Sequence, residues 1–344
     1  MSLRTAIETG DLAELPSRRD EDWRWTDLRG LVRTLPPRSP TNVGPFAPGL
    51  FDGLADEVVI VSNGELRTSI TLARGEEQVV AVRFIAAADA GAHAAPPRME
   101  VSKGRLVILE TYEGLGSGYL SEIDFTLSVK TGGSIERIVL TDEPEDAVSV
   151  VRCDVTLEPG ASFAQTVIAA GARRQRLETH VAHPGGGASV RLDGVYLLDG
   201  RRHADITTVV THAGVDGTTD QLVKGVVKDQ ARAVFQGRII VAHGADKTDA
   251  RMGHHALVLD DRAEVDAKPE LEIYADDVSC AHGNTVGALD EEALFYAEQR
   301  GIPHAEARAL LTEAFVGEVV DRIEHAGARE IVRAWVAGRL GAAQ

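Results

Sequence analysis

Short apolar runs separated by turn residues dominate the middle of the chain. From about residue 55 to 275 the runs are rich in Val, Ile, Leu and Thr, as in Leu106-Val107-Ile108-Leu109 and Arg238-Ile239-Ile240-Val241. Gly, Asp and Pro punctuate them, which predicts strands and tight turns. Gly132-Gly133-Ser134, Pro159-Gly160-Ala161-Ser162 and Gly187-Ala188-Ser189 each precede a β-rich segment, and their serines lie 28 and 27 residues apart. A repeat of about 27 residues holding short strands is what a β-solenoid needs, because each coil buries its inward face only against its neighbours. Carried forward at that step, the pattern reaches Asp216-Gly217, His243-Gly244 and Glu270. An ordinary two-sheet sandwich is the competing architecture.

The flanks have a different texture. Near the amino terminus a short helical candidate precedes Arg18-Arg19-Asp20-Glu21-Asp22-Trp23-Arg24-Trp25-Thr26-Asp27-Leu28, whose alternation of charge and tryptophan predicts a surface helix docked by its aromatics. Pro36, Pro37, Pro40, Pro45 and Pro48 then read as a linker, with a boundary near residue 50. After residue 288, Asp290-Glu291-Glu292 supplies a helix start and Arg300-Gly301 its stop. Pro303 opens a second helix with Leu311, Phe315, Val319 and Ile323 at four-residue spacing, and Ile331, Trp335 and Arg339 suggest a third. Such a tail either caps the open end of the coil stack, the favoured reading, or presents a stripe to a partner. The chain thus divides into a helical segment and linker at 1–50, a β core at 51–288 and a helical region at 289–344.

Composition narrows the function. The 344 residues are 44% apolar, enough to bury a sizeable core, and 53 acidic against 36 basic residues give a formal net charge of −17. That sign disfavours nucleic acid and an anionic bilayer as partners. No apolar run approaches the roughly 20 residues needed to cross a bilayer, and the first residues lack the basic-then-apolar order of a signal peptide. A cytoplasmic location is expected. Cys153 and Cys280 are the sole cysteines, which excludes a disulfide framework and an all-cysteine metal site built from this chain alone.

Signatures of catalysis are missing. The chain has no Gly-x4-Gly-Lys-Ser/Thr phosphate loop, no His-Glu-x-x-His and no Gly-x-Ser-x-Gly, and Gly114-Leu115-Gly116-Ser117-Gly118 lacks dinucleotide-binding spacing. If ATP is involved, another chain must hold it. In Asp276-Asp277-Val278-Ser279-Cys280-Ala281-His282-Gly283-Asn284-Thr285 a thiol and an imidazole stand two positions apart. On a strand both point to one face, so a sulfur and a nitrogen donor can reach one soft metal, although two donors do not complete a four-coordinate site. The opposing reading is a small buried thiol beside a hydrogen-bonded histidine. His254 and His255 would point to opposite faces of a strand, and a solvated loop is the preferred reading for them.

The run Pro269 to Gly287, with Cys280-Ala281-His282-Gly283 at its heart, closely resembles the most distinctive segment of the SufB/SufD family of iron–sulfur cluster assembly proteins. The continuation Leu289 to Ile302 looks like the SufD branch. Val223-Lys224-Gly225, Val234-Phe235-Gln236-Gly237 and Arg19 to Thr26 echo further family elements. The resemblance departs at Ser279, at Asn284 and in Met252-Gly253-His254-His255, and is weakest between 36 and 190. It implies a mainly β protein, with a right-handed parallel β-helix core and helical termini, acting as a scaffold with no ATPase activity of its own. A SufB-like β-helix subunit and a SufC-like ATPase are the implied partners, with self-pairing when the chain is alone. His282, and with it Cys280, is implicated in holding a transient iron–sulfur cluster at the subunit interface, and reduced flavin is a candidate ligand of the assembled complex. Leu311, Phe315 and Val319 are the candidate ATPase-docking residues. The rival class is a solitary β-solenoid enzyme acting on carbohydrate, for which adjacent Asp276 and Asp277 would point apart on a strand.

Overall fold

The computed structural model describes residues 1–41, 43–66 and 77–341. Asn42, residues 67–76 and residues 342–344, which fall in the expected linker, β core and helical tail, lie outside the described residues.

Two sheets face each other, parallel except where Glu65–Leu66 runs antiparallel to Glu57–Ser62, and from Gly104 onward the chain alternates between them in a β-solenoid of about seven turns. One sheet runs from Glu65–Leu66 and Glu57–Ser62 through Glu77–Ala86, Gly104–Gly114, Gly133–Asp142, Ser162–Ala169, Ser189–Leu198, Thr218–Val227 and Asp249–Val258 to Ser279–Gly287. The other runs from Ala92–Ala95, beside Arg98–Val101, through Leu120–Val129, Val148–Leu157, Arg174–His183, His203–His212 and Arg232–Val241 to Glu264–Ile273. The turn serines stack in register: Ser134 pairs with Ser162 and Ser162 with Ser189, and the column continues through Thr218 and Asp249 to Ser279. The even step read from the sequence falls behind after Thr218, reaching His243-Gly244 and Glu270 where the column has Asp249 and Ser279. The strand Ser162–Ala169 is shorter than its successors and the turn at 242–248 longer than its predecessors, so later coils take more residues.

Between the sheets lies a core in which Phe125, Phe163 and Phe235 are fully buried. Some polar side chains enter it already paired. Arg137 is buried and donates to Glu110 at 2.6 and 2.7 Å and to Gln165 at 2.6 Å, so the charge is paired inside the stack. Gly225 is required by contact, because a Cβ there would fall 1.8 Å from the Tyr196 ring.

The outer faces are covered as well. Among the described residues there are four α-helices outside the strands: α1 (Leu3–Thr9), α2 (Glu291–Gln299), α3 (His304–Val320) and α4 (Ala326–Gly341). The favoured reading of the tail as an end cap is corrected. Val316, Val319, Val320 and Ile323, with Val332 and Val336 of α4, pack on Ile138, Leu140, Ile168, Val195 and Val226 on the outside of the ten-stranded sheet. An apolar outer face of this kind has to be covered by another layer. On the eight-stranded sheet the cover is amino-terminal. The helix expected over Arg18–Leu28 is instead a single 3-10 turn, Glu21–Trp23, within an irregular strap. The strap reaches strand after strand: Trp23 stacks on Arg176 at 4.4 Å, the Asp22 carbonyl accepts from Arg176 and Gln236, Thr26 donates to Asp205, and Glu21 pairs with Lys268 at 2.8 Å. Strands about 4.8 Å apart are matched by irregular chain laid across them.

Candidate functional site

The solenoid ends on Glu264–Ile273 and Ser279–Gly287, each the last strand of its sheet and hydrogen-bonded on one side only. Their inward positions continue columns that are buried one coil earlier. Cys280 follows Ala250, His282 follows Met252, Asn284 follows His254 and Val286 follows Ala256; across the mouth Val265, Ala267, Leu271 and Ile273 follow Ala233, Phe235, Ile239 and Val241. With no coil beyond them, Ile273 is 41% and Val286 47% exposed.

Cys280 and His282 share a face at this mouth, as their spacing predicts. Cys280 is half-buried against the core, and burial raises its thiol above the usual range, while His282 is exposed. Among the described residues no three His, Cys, Asp or Glu side chains converge as a metal site. The pair therefore offers two donors, short of a four-coordinate set. Asp276 and Asp277 are in the turn joining the two last strands, with Asp277 exposed.

One coil inward is a group that sequence reasoning misplaced. His254 and His255 lie within the strand Asp249–Val258, not in a solvated loop. His255 faces outward to Thr285 at 2.7 Å, whereas His254 is buried in the solenoid, stacked on Phe235 at a centroid distance of 4.6 Å. Its Nε2 lies 2.9 Å from the Tyr196 hydroxyl and its Nδ1 2.6 Å from Asn284 Oδ1. Desolvation lowers its pKa to about 4, so the ring is neutral at neutral pH. The missing signal was register: once Gly225 is paired with Tyr196 and Ala256, His254 falls two residues away on the inner face.

On the helical side the three candidate docking residues part company. Val319 is fully buried against the sheet and off the free surface of α3. Leu311 and Phe315 are half-buried, and Phe315 lies beneath the Lys224 ammonium, which pairs with Glu318. The open face between α3 and α4 is a groove of about 620 Å³ lined by Leu310, Glu313, Ala314, Gly317, Asp321 and Arg333, among others. In α2, Phe295 and Tyr296 are each more than half exposed.

Residues 99–315 match the family described as SUF system FeS cluster assembly, SufBD core domain. The iron–sulfur cluster assembly protein SufD of Escherichia coli (strain K12) is 27% identical over 391 aligned positions, covering 98% of this chain and 91% of that protein. An iron–sulfur cluster assembly SufBD family protein of Mycobacterium bovis is 26% identical, covering 96% of this chain and 90% of its own length. SufD of Bacillus subtilis is 35% identical over 131 residues, 38% of this chain and 30% of that one. Among the described residues no helix is long and apolar enough to cross a membrane.

Proposed function

The chain belongs to the SufBD family of the SUF iron–sulfur cluster assembly system, and from that premise we propose that it is a SufD-type scaffold that presents its last coil to a SufB-like β-helix. Its part in cluster assembly follows from the family. The observation that carries the finer reading is the mouth, where two strand edges of ten and nine residues stand open around Cys280 and His282. Unpaired edges of that length are templates for another chain, and a like coil would continue both sheets. The partner would bring the donors this chain lacks, so the cluster is cargo held between subunits. His282 as a neutral imidazole is a competent iron ligand. Cys280 is secondary, its thiol being half-withdrawn into the core.

ATP hydrolysis is assigned to a SufC-like ATPase docked on α2 and the groove between α3 and α4, with Phe315 contributing at its margin and Val319 only through packing. Reduced flavin, if it takes part, belongs to the assembled complex, and in the absence of SufB the same edges would pair two copies of this chain. The setting is cytoplasmic. Co-purification of the tagged chain from cell extract tests the reading: a SufB-type chain and an ATPase should be retained, and the pure chain should not hydrolyse ATP. His282→Ala should keep both partners yet impair maturation of iron–sulfur enzymes under iron limitation, with Cys280→Ala milder. Normal maturation in the His282→Ala strain would remove the role assigned to the mouth.

A further inference from the structure

His254 sits between two hydrogen-bonding groups, and among the described residues the Tyr196 hydroxyl has no hydrogen-bond partner besides it. A buried phenol O–H left without an acceptor is costly. The Tyr196 hydroxyl therefore donates to His254 Nε2, which must be the bare nitrogen of the ring. The proton of the neutral ring is then on Nδ1 and is donated to Asn284 Oδ1 at 2.6 Å. This fixes the Asn284 amide in one of its two flips. Its oxygen is held inward, and its nitrogen, carried on an exposed residue and without a hydrogen-bond partner among the described residues, is left at the mouth two residues from His282 on the same face.

We propose that Tyr196 and His254 position the Asn284 amide so that its N–H groups donate to a sulfide of the iron–sulfur cargo beside His282. The proposal rests on the assignment of the mouth as the cargo site. Sulfide and thiolate sulfurs accept hydrogen bonds, and such bonds are one of the levers by which a protein tunes a cluster. Asn284 is thus a contact residue for the cargo, and His254 acts through it as a positioning residue. Phe235 holds the imidazole plane by stacking at an interplanar angle of 5°.

The first test needs no cluster. In the ¹⁵N-labelled wild-type chain, long-range proton–nitrogen correlation should find the His254 ring neutral with its proton on Nδ1. A proton on Nε2 would turn the Asn284 carbonyl toward the mouth and overturn the proposal. The second uses the complex co-expressed with a SufB-type chain and a SufC-type ATPase and loaded with iron(II) and sulfide. Asn284→Asp preserves shape but removes the donors, and should weaken cluster retention about tenfold or more. It should also abolish the deuterium-induced shift of the iron–sulfide stretch in resonance Raman spectra. His254→Phe should act in the same direction, while His254→Gln, which can accept from Tyr196 and donate to Asn284, should restore most of the retention. If Asn284→Asp keeps the cluster and the isotope shift while His282→Ala loses the cluster, the proposal falls and the cargo site stands. If His282→Ala also keeps the cluster, the cargo site falls and takes the proposal with it.

Discussion

The coil around Thr218–Val241 and the coil around Glu264–Gly287 have nearly the same backbone, and their residues stand in the same columns, yet they meet opposite surroundings. In the earlier coil Gln221 and Phe235 are buried; in the last, their column successors His282 and Ala267 line an open mouth. Local sequence cannot account for the difference, since Val, Ile and Leu occur in both. Burial in a solenoid is conferred by the next coil, so the final coil inherits an inward face with nothing to bury it. The same positions that make a core elsewhere make an open, solvent-facing surface here.

Removing charge from the interior should give the largest contrast. Arg137→Met leaves Glu110 buried without its counter-charge and should cost about 3–5 kcal/mol in urea unfolding. Glu264→Gln, which breaks the exposed pair with Arg232 on the last coil, should cost about 0–1 kcal/mol. Gly225→Val should follow at about 3 kcal/mol, because its side chain would overlap Tyr196, whereas Gly283→Val in the last strand meets nothing within 4 Å and should stay within about 0.5 kcal/mol. Equal costs at the two glycines would mean that the last coil is as constrained as the interior.

A smaller effect concerns protons. Burial lowers His212 to about 3, and a lowered folded pKa stabilises above the unfolded value of 6.5 and loses that contribution as pH falls toward 3. His212→Phe should therefore flatten the pH dependence of unfolding below pH 6.5 by about one proton, or about 1.4 kcal/mol per pH unit. An unchanged slope would show that His212 is already charged in the folded chain. The smallest effects on stability should come with the largest on assembly. Phe315→Asp should leave the core intact, since Val319 and Val316 carry the packing of α3, yet weaken ATPase retention in pull-down; a folded variant that binds unchanged would exclude Phe315 from the interface. Val286→Ala at the mouth should shift unfolding by no more than about 0.5 kcal/mol while reducing recovery of the SufB-type partner.

Much of this was legible in the residues. The serines at 134, 162 and 189 announce a stacked repeat because each begins a strand after a turn that must recur. Cys280 and His282 disclose a shared face because strand alternation is strictly two-fold. What stayed hidden depends on register across coils. His254 reads as half of a polar pair until Tyr196 and Asn284 are laid beside it, and those partners are 58 and 30 residues away. Val319 fits a helical stripe, but which side of the stripe meets the sheet is fixed by the outward columns at Ile138, Ile168 and Val195. The strap at Arg18–Leu28 has helix-compatible composition, and its contacts with four successive strands, which no local pattern encodes, draw it out instead.

That strap also sets an order of events. Glu21 meets Lys268 across 247 residues of chain, so the strap completes its seat only after the strand Glu264–Ile273 has been made. At elongation rates of about 5–20 residues per second the wait is roughly 12–50 s. Coils can form one upon another during that time, since each needs only its predecessor, while the strap closes over four of them at the end. The strap thus acts as a latch whose closure reports that the coils from Arg174–His183 to Glu264–Ile273 are in place.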